Sequence, residues 1–264
     1  MTSEPGRAKK LASKALAAAR RLRAFVKQEE GIDFRQQSII NYRNHVRQLL
    51  TDLPREEAMI RAIGADNNRS FDAFGDVQVE VLRSHGLQDG MSIYDVGCGS
   101  GRTAQALQRA GWKGTYGGHD IVAELVDHLN TTCPGFHAHT HGALSLLAGD
   151  NSLDLIFHWS VFTHLLPEEC FVYLKDMHRC LRPGGTIVFS FLEFEDPRHA
   201  QLFFERAASF ERQDVIPLLD TFLHRDWINA WAEKLGFNQP QFTGGKDNQS
   251  HPPFWQSLVA MKKA

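Results

Sequence analysis

The sequence predicts a doubly wound α/β fold, in which a mostly parallel sheet carries helices on both faces. Three observations support this prediction. Short apolar runs alternate with helical patterns between about residues 92 and 192. The strand predicted over 92–96 breaks into glycines and restarts as a helix, as βαβ units do. A late helix, closed by Gly236, precedes two strand candidates, 239–242 and 255–261, which we expect to form an antiparallel edge hairpin.

Composition limits the function classes. The 264 residues fit one α/β domain with extra segments. With 42% hydrophobic and 23% charged residues, the chain resembles globular proteins and not disordered or fibrous ones. A net charge of -2 gives no overall attraction to nucleic acid, so we expect no nucleic-acid partner. The cysteines lack CxxC spacing, which disfavours a zinc site or a disulfide framework and makes the cytoplasm the simplest location.

The first 70 residues predict a helical arm and cap. Residues 1–30 carry eight basic and three acidic side chains, and apolar residues recur at helical spacing over about 7–28. This basic amphipathic helix is interpreted as a solvated arm, or as a peripheral contact with an anionic membrane or a partner. A second helical stretch, 32–63, is interrupted by Pro54.

The main α/β domain is predicted over residues 71–264. Within it, residues 192–226 follow the fifth strand and form a lid-like insertion rich in phenylalanine. These phenylalanines are Phe194, Phe203, Phe204, Phe210 and Phe222, with Phe191 just before them. They either roof a pocket for an apolar or aromatic ligand or pack as a helix core.

The glycine-rich turn after the first strand is the strongest signal. Gly97 permits a tight turn, Gly99 lets the backbone approach a ligand, and Gly101 lets the next helix pack closely. A dinucleotide fingerprint needs a further glycine where this chain has Arg102, which disfavours NAD. Asp120 ends the next strand, where a carboxylate can accept hydrogen bonds from both hydroxyls of a ribose.

This turn resembles the first motif of class I S-adenosylmethionine-dependent methyltransferases. The motif spans 95–102, and the resemblance continues through 151–165, through 173–191 with its Arg-Pro-Gly-Gly turn, and through 255–261. It covers about residues 73–264. The resemblance implies a seven-stranded sheet, an enzyme, S-adenosylmethionine as cofactor and S-adenosylhomocysteine as product.

The resemblance also implies the cofactor contacts. The residues concerned are Asp95, Gly97, Cys98, Gly99, Ser100, Gly101, Arg102, Asp120, Ile121, His141, Gly142, Ala143, His158, Trp159 and Ser160. Asp95 and the glycine turn are expected to line the methionine and ribose, Asp120 to hold the ribose, and Ile121 to pack on adenine. The segment from His158 to Ser160 is expected beside the methionine end. The family often has an acidic residue near adenine, whereas this chain offers His141 to Ala143.

Several histidines are candidates for chemistry. His137, His139 and His141 alternate along a predicted strand, but no carboxylate or cysteine clusters with them, so no metal is expected. His158 and His164 lie at or after the end of a strand, and either could be a general base, with His158 closer by position. The alternatives are that His158 packs and that His164 bonds to its own loop.

The predicted reaction is methyl transfer to a small-molecule or lipid or sugar-conjugate acceptor, at oxygen. Nitrogen or carbon acceptors and a non-catalytic S-adenosylmethionine-binding subunit are the alternatives. An oxidoreductase is disfavoured because Tyr173 lacks a lysine four residues later. No oligomeric state follows from these patterns.

Overall fold

The computed structural model describes residues 34–212, 219–244 and 254–264. The chain divides into two units, Met1–Gln37 and Ser38–Ala264, and the site lies in the second. The basic helix predicted over 7–28 lies outside the described residues, and the predicted boundary at residue 70 stays a prediction. None of the helices in the described part has the length and apolar character needed to cross a membrane.

Helices and strands alternate as the hydrophobic pattern predicts. The helices are α1 Phe34–Asp52, α2 Arg55–Arg61, α3 Asn68–Ser84, α4 Arg102–Arg109, α5 Ala123–Thr132, α6 Pro167–Cys180, α7 Pro197–Glu211 and α8 Arg225–Leu235. The strands are β1 Ser92–Val96, β2 Thr115–Asp120, β3 His137–Thr140, β4 Leu153–His158, β5 Leu181–Glu193, β6 Phe222–Leu223, β7 Gln241–Thr243 and β8 Ser257–Lys262. Pro54 separates α1 from α2, as expected from its missing N–H donor.

The main sheet has the strand order β3-β2-β1-β4-β5-β8-β7. Strands β1 to β5 pair in parallel, whereas β8 runs antiparallel to both β5 and β7. The doubly wound fold and the antiparallel C-terminal hairpin are therefore confirmed. The short strand β6 is an addition to the predicted seven, and it pairs with the end of β5.

Both faces of the sheet are buried, because consecutive residues of β1, β4 and the second half of β5 are almost all buried. On one face, Leu107 of α4 packs with Leu155 and Phe157 of β4. On the other, Ile156 packs with Met177 of α6. The carboxyl ends of β1, β2 and β4 consequently meet at one edge, where ligands bind in open α/β sheets.

The helices α1 and α2 cover part of that edge. Val46 and Met59 form a buried apolar cluster with Val122 and Leu125 at the start of α5. The Arg43 guanidinium donates a 2.9 Å hydrogen bond to the carbonyl oxygen of Ile121, which directly follows β2. Helices α1 and α2 thus cover the end of β2.

The insertion after β5 contains α7 and β6. Phe203 of α7 contacts Phe194 and Phe222 edge to face, with ring centroids 5.1 and 5.5 Å apart. Phe204 and Phe210 are 63% and 68% exposed. The insertion therefore has a small aromatic core and an exposed aromatic face.

Candidate cofactor and acceptor site

The glycine turn between β1 and α4 is tightly packed. Gly97 and Gly99 have φ angles of +68° and +55°. A Cβ atom at Gly97 would lie 2.5 Å from Val161 Cγ2, and one at Gly99 would lie 2.7 Å from Ile63 Cγ2. From the sequence, Gly99 is expected to let a ligand approach the backbone. In the structure, the side chain nearest to a Cβ atom at this position is that of Ile63, which follows α2. The turn needs glycine for its backbone conformation and for protein packing.

Asp95 presents a buried carboxylate at the end of β1. The Tyr116 hydroxyl donates a 2.8 Å hydrogen bond to Asp95 Oδ2. The other oxygen, Oδ1, is buried and has no hydrogen-bond partner among the described residues. Burial raises the pKa of Asp95 to about 8, the negative charge of Asp120 adds to the rise, and the bond from Tyr116 opposes it.

Asp120 ties the glycine turn to the start of α5. Its Oδ2 accepts a 3.0 Å hydrogen bond from the Gly99 N–H, and its Oδ1 accepts a 2.9 Å bond from the Val122 N–H. Burial raises its pKa to about 6, although these backbone donors and Arg43 act in the opposite direction. Each carboxylate oxygen retains capacity for one more donor.

The segment after β4 is held by a closed set of hydrogen bonds. Ser160 has a φ of +57°, which is uncommon for a residue other than glycine. Its N–H donates to Ser190 Oγ, which donates to Gln256 Oε1, and Gln256 Nε2 donates back to Ser160 Oγ, at 2.8, 2.6 and 2.7 Å. Next to it, Trp159 donates a 3.1 Å bond to Thr103 Oγ1 of α4. These bonds stabilise a strained backbone at the end of β4.

The two candidate bases lie in different environments. His158 is fully buried, stacks between Phe162 and Phe189, and has no partner among the described residues on either ring nitrogen. Burial lowers its pKa to about 3, which does not suit a general base. His164 is partly exposed, and its Nδ1 lies 2.8 Å from the Leu219 carbonyl oxygen. The position along the chain favoured His158, but the structure favours His164.

The remaining predicted residues surround the turn and the end of β3. The Cys98 thiol is buried, which raises its pKa, and Ser100 Oγ donates to the Met59 carbonyl oxygen at 2.9 Å. Arg102 lies over the Phe74 ring, on the α3 side. His141 bonds to Ser145 Oγ at 3.0 Å, and Gly142 and Ala143 follow it. Ile121 packs in the cluster formed with α1 and α2.

Tyr42 of α1 is a site residue that the sequence did not reveal. Its hydroxyl donates to the Ala62 carbonyl oxygen at 3.1 Å, and its ring centroid lies 6.4 Å from that of His164. Burial and the nearby Asp120 carboxylate raise its pKa. Helix periodicity places Tyr42 on a helix, but it does not show which part of the sheet edge that helix covers.

Comparison with known proteins agrees with this geometry. Residues 93–185 match the family described as "Methyltransferase domain". Over this segment the chain matches a methyltransferase domain, and its strand order is that of the class I S-adenosylmethionine-dependent methyltransferase fold. The matched segment begins in β1, includes the glycine turn and ends in β5, so it contains Asp95, Asp120 and both candidate histidines.

Solved structures share the fold of this methyltransferase domain at low sequence identity. Magnesium protoporphyrin IX methyltransferase from Synechocystis PCC 6803, with bound SAH, matches with a TM-score of 0.59 and 16% identity, covering 86% of this chain and 100% of that one. A possible histamine N-methyltransferase from Thermotoga maritima matches with a TM-score of 0.55 and 13% identity, covering 84% and 100%. A SAM-dependent methyltransferase from Archaeoglobus fulgidus matches with 0.56 and 16%, covering 73% and 94%.

The site of the methyltransferase domain fits the cofactor. No described residue donates to the buried Asp95 Oδ1, so this oxygen is available to the ammonium group of a methionine moiety. The fixed Asp120 carboxylate has capacity for ribose hydroxyls. Both groups are acidic, which suits a ligand that carries positive charge.

Proposed function

We propose that this domain binds S-adenosylmethionine at the glycine turn and transfers its methyl group to an oxygen of a small-molecule or lipid or sugar-conjugate acceptor. One observation carries the cofactor assignment: the buried Asp95 carboxylate lies at the β1 end beside the fixed Asp120, and one of its oxygens has no donor in the part of the chain that the structure describes. The bound cofactor supplies a methyl group that its sulfonium already activates. The protein's task is then mainly to position the two reactants and exclude water.

The cofactor would be held by groups from four strand ends, those of β1, β2, β3 and β4. Asp95 accepts from the ammonium group, Asp120 accepts from the ribose hydroxyls, and Ile121 packs on adenine. The turn from Gly97 to Arg102 lines the methionine and ribose side, while His141 to Ala143 border adenine. The strained segment from Trp159 to Ser160 borders the methionine end. The hydrogen bonds of Ser160 with Ser190 and Gln256 hold this segment in place.

His164 is the proposed general base. A carbonyl oxygen only accepts, so the contact with Leu219 requires that His164 carry its proton on Nδ1. In the neutral ring, Nε2 then holds the lone pair that can take a proton from an acceptor hydroxyl. The second tie between the insertion and this loop, Thr221 N–H to the Thr163 carbonyl oxygen at 2.7 Å, keeps Leu219 in place.

A small apolar or aromatic acceptor is supported by two features. The insertion whose end orients His164 also carries the aromatic cluster of Phe194, Phe203 and Phe222. Magnesium protoporphyrin IX methyltransferase and the possible histamine N-methyltransferase, which share the fold, are named for small molecules. Because the latter is an N-methyltransferase by name, the methylated atom has to be measured.

Titration calorimetry tests the cofactor assignment. We expect S-adenosylmethionine and S-adenosylhomocysteine to bind and NADH not to bind, and binding of NADH alone would refute the proposal. Incubation with methyl-labelled cofactor and candidate hydroxyl or carboxyl acceptors then tests turnover. Labelled O-methyl product that His164→Gln lowers at least about 100-fold supports the base. An N- or C-methyl product would refute the oxygen assignment, and binding without any product would indicate a cofactor-binding subunit.

A further inference from the structure

Three buried side chains from different elements form one line of hydrogen bonds beneath the end of β3. Tyr94 of β1 lies with its hydroxyl 3.0 Å from His119 Nδ1, and His119 Nε2 lies 3.1 Å from the hydroxyl of Tyr173 of α6. Their exposed fractions are only 4%, 1% and 5%. None of them belongs to the glycine turn or to the proposed chemistry, so this buried polar line needs its own explanation.

The direction of every hydrogen bond in the line follows from its two ends. Tyr173 donates its hydroxyl proton to the Ala143 carbonyl oxygen at 3.0 Å, so its oxygen accepts from His119 Nε2–H. Tyr94 accepts from the Leu147 N–H at 3.2 Å and donates its own proton to His119 Nδ1. A neutral His119 with its proton on Nε2 satisfies every group, and burial lowers its pKa to about 3, in agreement.

Both ends of the line fall on the same short segment, residues 141–147, which follows β3. Two more bonds hold this segment: His141 N–H donates to the Asp120 carbonyl oxygen at 2.9 Å, and Leu146 N–H donates to Asp176 Oδ2 at 2.7 Å. Four backbone groups of the segment are therefore bonded to β1, β2 and α6. A loop held at four points keeps its shape before any ligand arrives.

We propose that Tyr94, His119 and Tyr173 are positioning residues for adenine recognition, because they fix the loop 141–147 against which the adenine ring lies. This inference rests on the proposed cofactor function. No acidic side chain lies in 141–147 to bond the adenine amino group. Recognition of the ring edge then falls to the other groups of the loop, and such recognition depends on how firmly the loop is held.

The test compares S-adenosylhomocysteine with its inosine analogue, S-inosylhomocysteine, in which a carbonyl oxygen replaces the 6-amino group and N1 carries a proton, so both positions reverse their hydrogen-bonding roles. We expect the wild-type protein to prefer the adenine form. Tyr173→Phe and Tyr94→Phe each remove one loop anchor without emptying the core, and each is expected to reduce that preference about ten-fold. Faster amide hydrogen exchange over 141–147, measured without ligand, is expected to accompany the change.

Two comparisons separate positioning from general stability. Trp112, which lies just before β2 at the opposite end of the sheet, donates a part-buried 2.9 Å hydrogen bond to the Gln88 carbonyl oxygen. Trp112→Phe removes this bond, and it should lower the melting temperature without changing the ratio of the two ligand affinities. His119→Gln keeps one donor and one acceptor, so it should retain more of the preference than His119→Leu does.

The outcomes distinguish this inference from the proposed function. If the wild-type protein binds neither ligand, the proposed function is wrong. If it binds both equally, or if Tyr173→Phe and Tyr94→Phe weaken loop protection but leave the preference unchanged, the positioning role is wrong while the cofactor assignment stands.

Discussion

Replacing Asp120 by asparagine is the sharpest perturbation of the site. The carboxylate accepts one hydrogen bond from Gly99 and one from Val122, and each oxygen has room for one ribose hydroxyl. Asparagine keeps one acceptor oxygen without charge and replaces the other by an NH₂ group. One ribose bond is lost and the other is weakened, which costs about 3 kcal/mol, or roughly 150-fold in the dissociation constant.

The same substitution should change folding stability much less. The new NH₂ group faces a backbone N–H, and leaving that donor unsatisfied costs about 1–3 kcal/mol. Against this, the folded carboxyl has a pKa of about 6 instead of its ordinary value of 3.8, so above pH 6 its ionisation destabilises the fold by about 3 kcal/mol. Asparagine removes that penalty, and the two effects nearly cancel.

The assay is calorimetric titration of S-adenosylhomocysteine at pH 7.5, with urea unfolding of the apo proteins in parallel. Asp127→Asn provides a matched control, because Asp127 is an exposed carboxylate on the same α5 helix. We expect wild-type affinity for the control and about 150-fold weaker binding for Asp120→Asn. An unchanged affinity for Asp120→Asn, with both proteins folded, would refute the ribose assignment.

Three further predictions concern the turn, a histidine and pH. Gly99→Ala should lower the unfolding free energy by about 2 kcal/mol or more, because φ is positive there and Ile63 is close. Adding Ile63→Ala to this variant should recover part of the loss. If the losses of the two single variants in urea unfolding are strictly additive in the double variant, the contact is contradicted. His158→Leu should raise the unfolding free energy by about 1 kcal/mol with turnover unchanged, since both ring nitrogens lack partners among the described residues; lost turnover in a folded variant would return His158 to the chemistry. For Asp95 the folded carboxyl stays protonated up to about pH 8 while the unfolded one ionises near 4. The stability advantage of Asp95→Asn should therefore grow with pH between about 4 and 8, at up to about 1.4 kcal/mol per unit, and a flat difference in unfolding free energies would contradict the raised pKa.

The sequence predicted the parts of the site that follow from one strand and the turn after it. Asp95 and Asp120 end parallel strands, and the carboxyl ends of neighbouring parallel strands meet at one edge of the sheet. Their proximity therefore needed only the strand assignments and the strand order. The glycine turn was predicted for the same reason, because strand, turn and helix are consecutive in the chain.

The rest depends on contacts that local patterns do not encode. Tyr42 and Ile63 reach the site because α1 and α2 pack across the sheet edge, and helical periodicity shows only that such a face exists. For His158, strand alternation gave no clear signal, because its side of β4 carries both Asp154 and Ile156, and the structure buries the strand on both faces.

The electrostatics of the site add a reason for its choice of ligand. Asp95 and Asp120 are both buried, and the Asp120 charge raises the pKa of Asp95 by more than the Arg102 charge lowers it, so the ionised pair favours a further positive charge. In the proposed complex, an ammonium group at Asp95 Oδ1 would relieve this repulsion, and the sulfonium would add to the relief. The pyrophosphate of a dinucleotide would bring two negative charges to the same edge and increase the repulsion. The two acidic groups and the absence of a third glycine at position 102 therefore both disfavour a dinucleotide. Because the acidic groups remain in an Arg102→Gly variant, its preference for S-adenosylmethionine over NADH should persist.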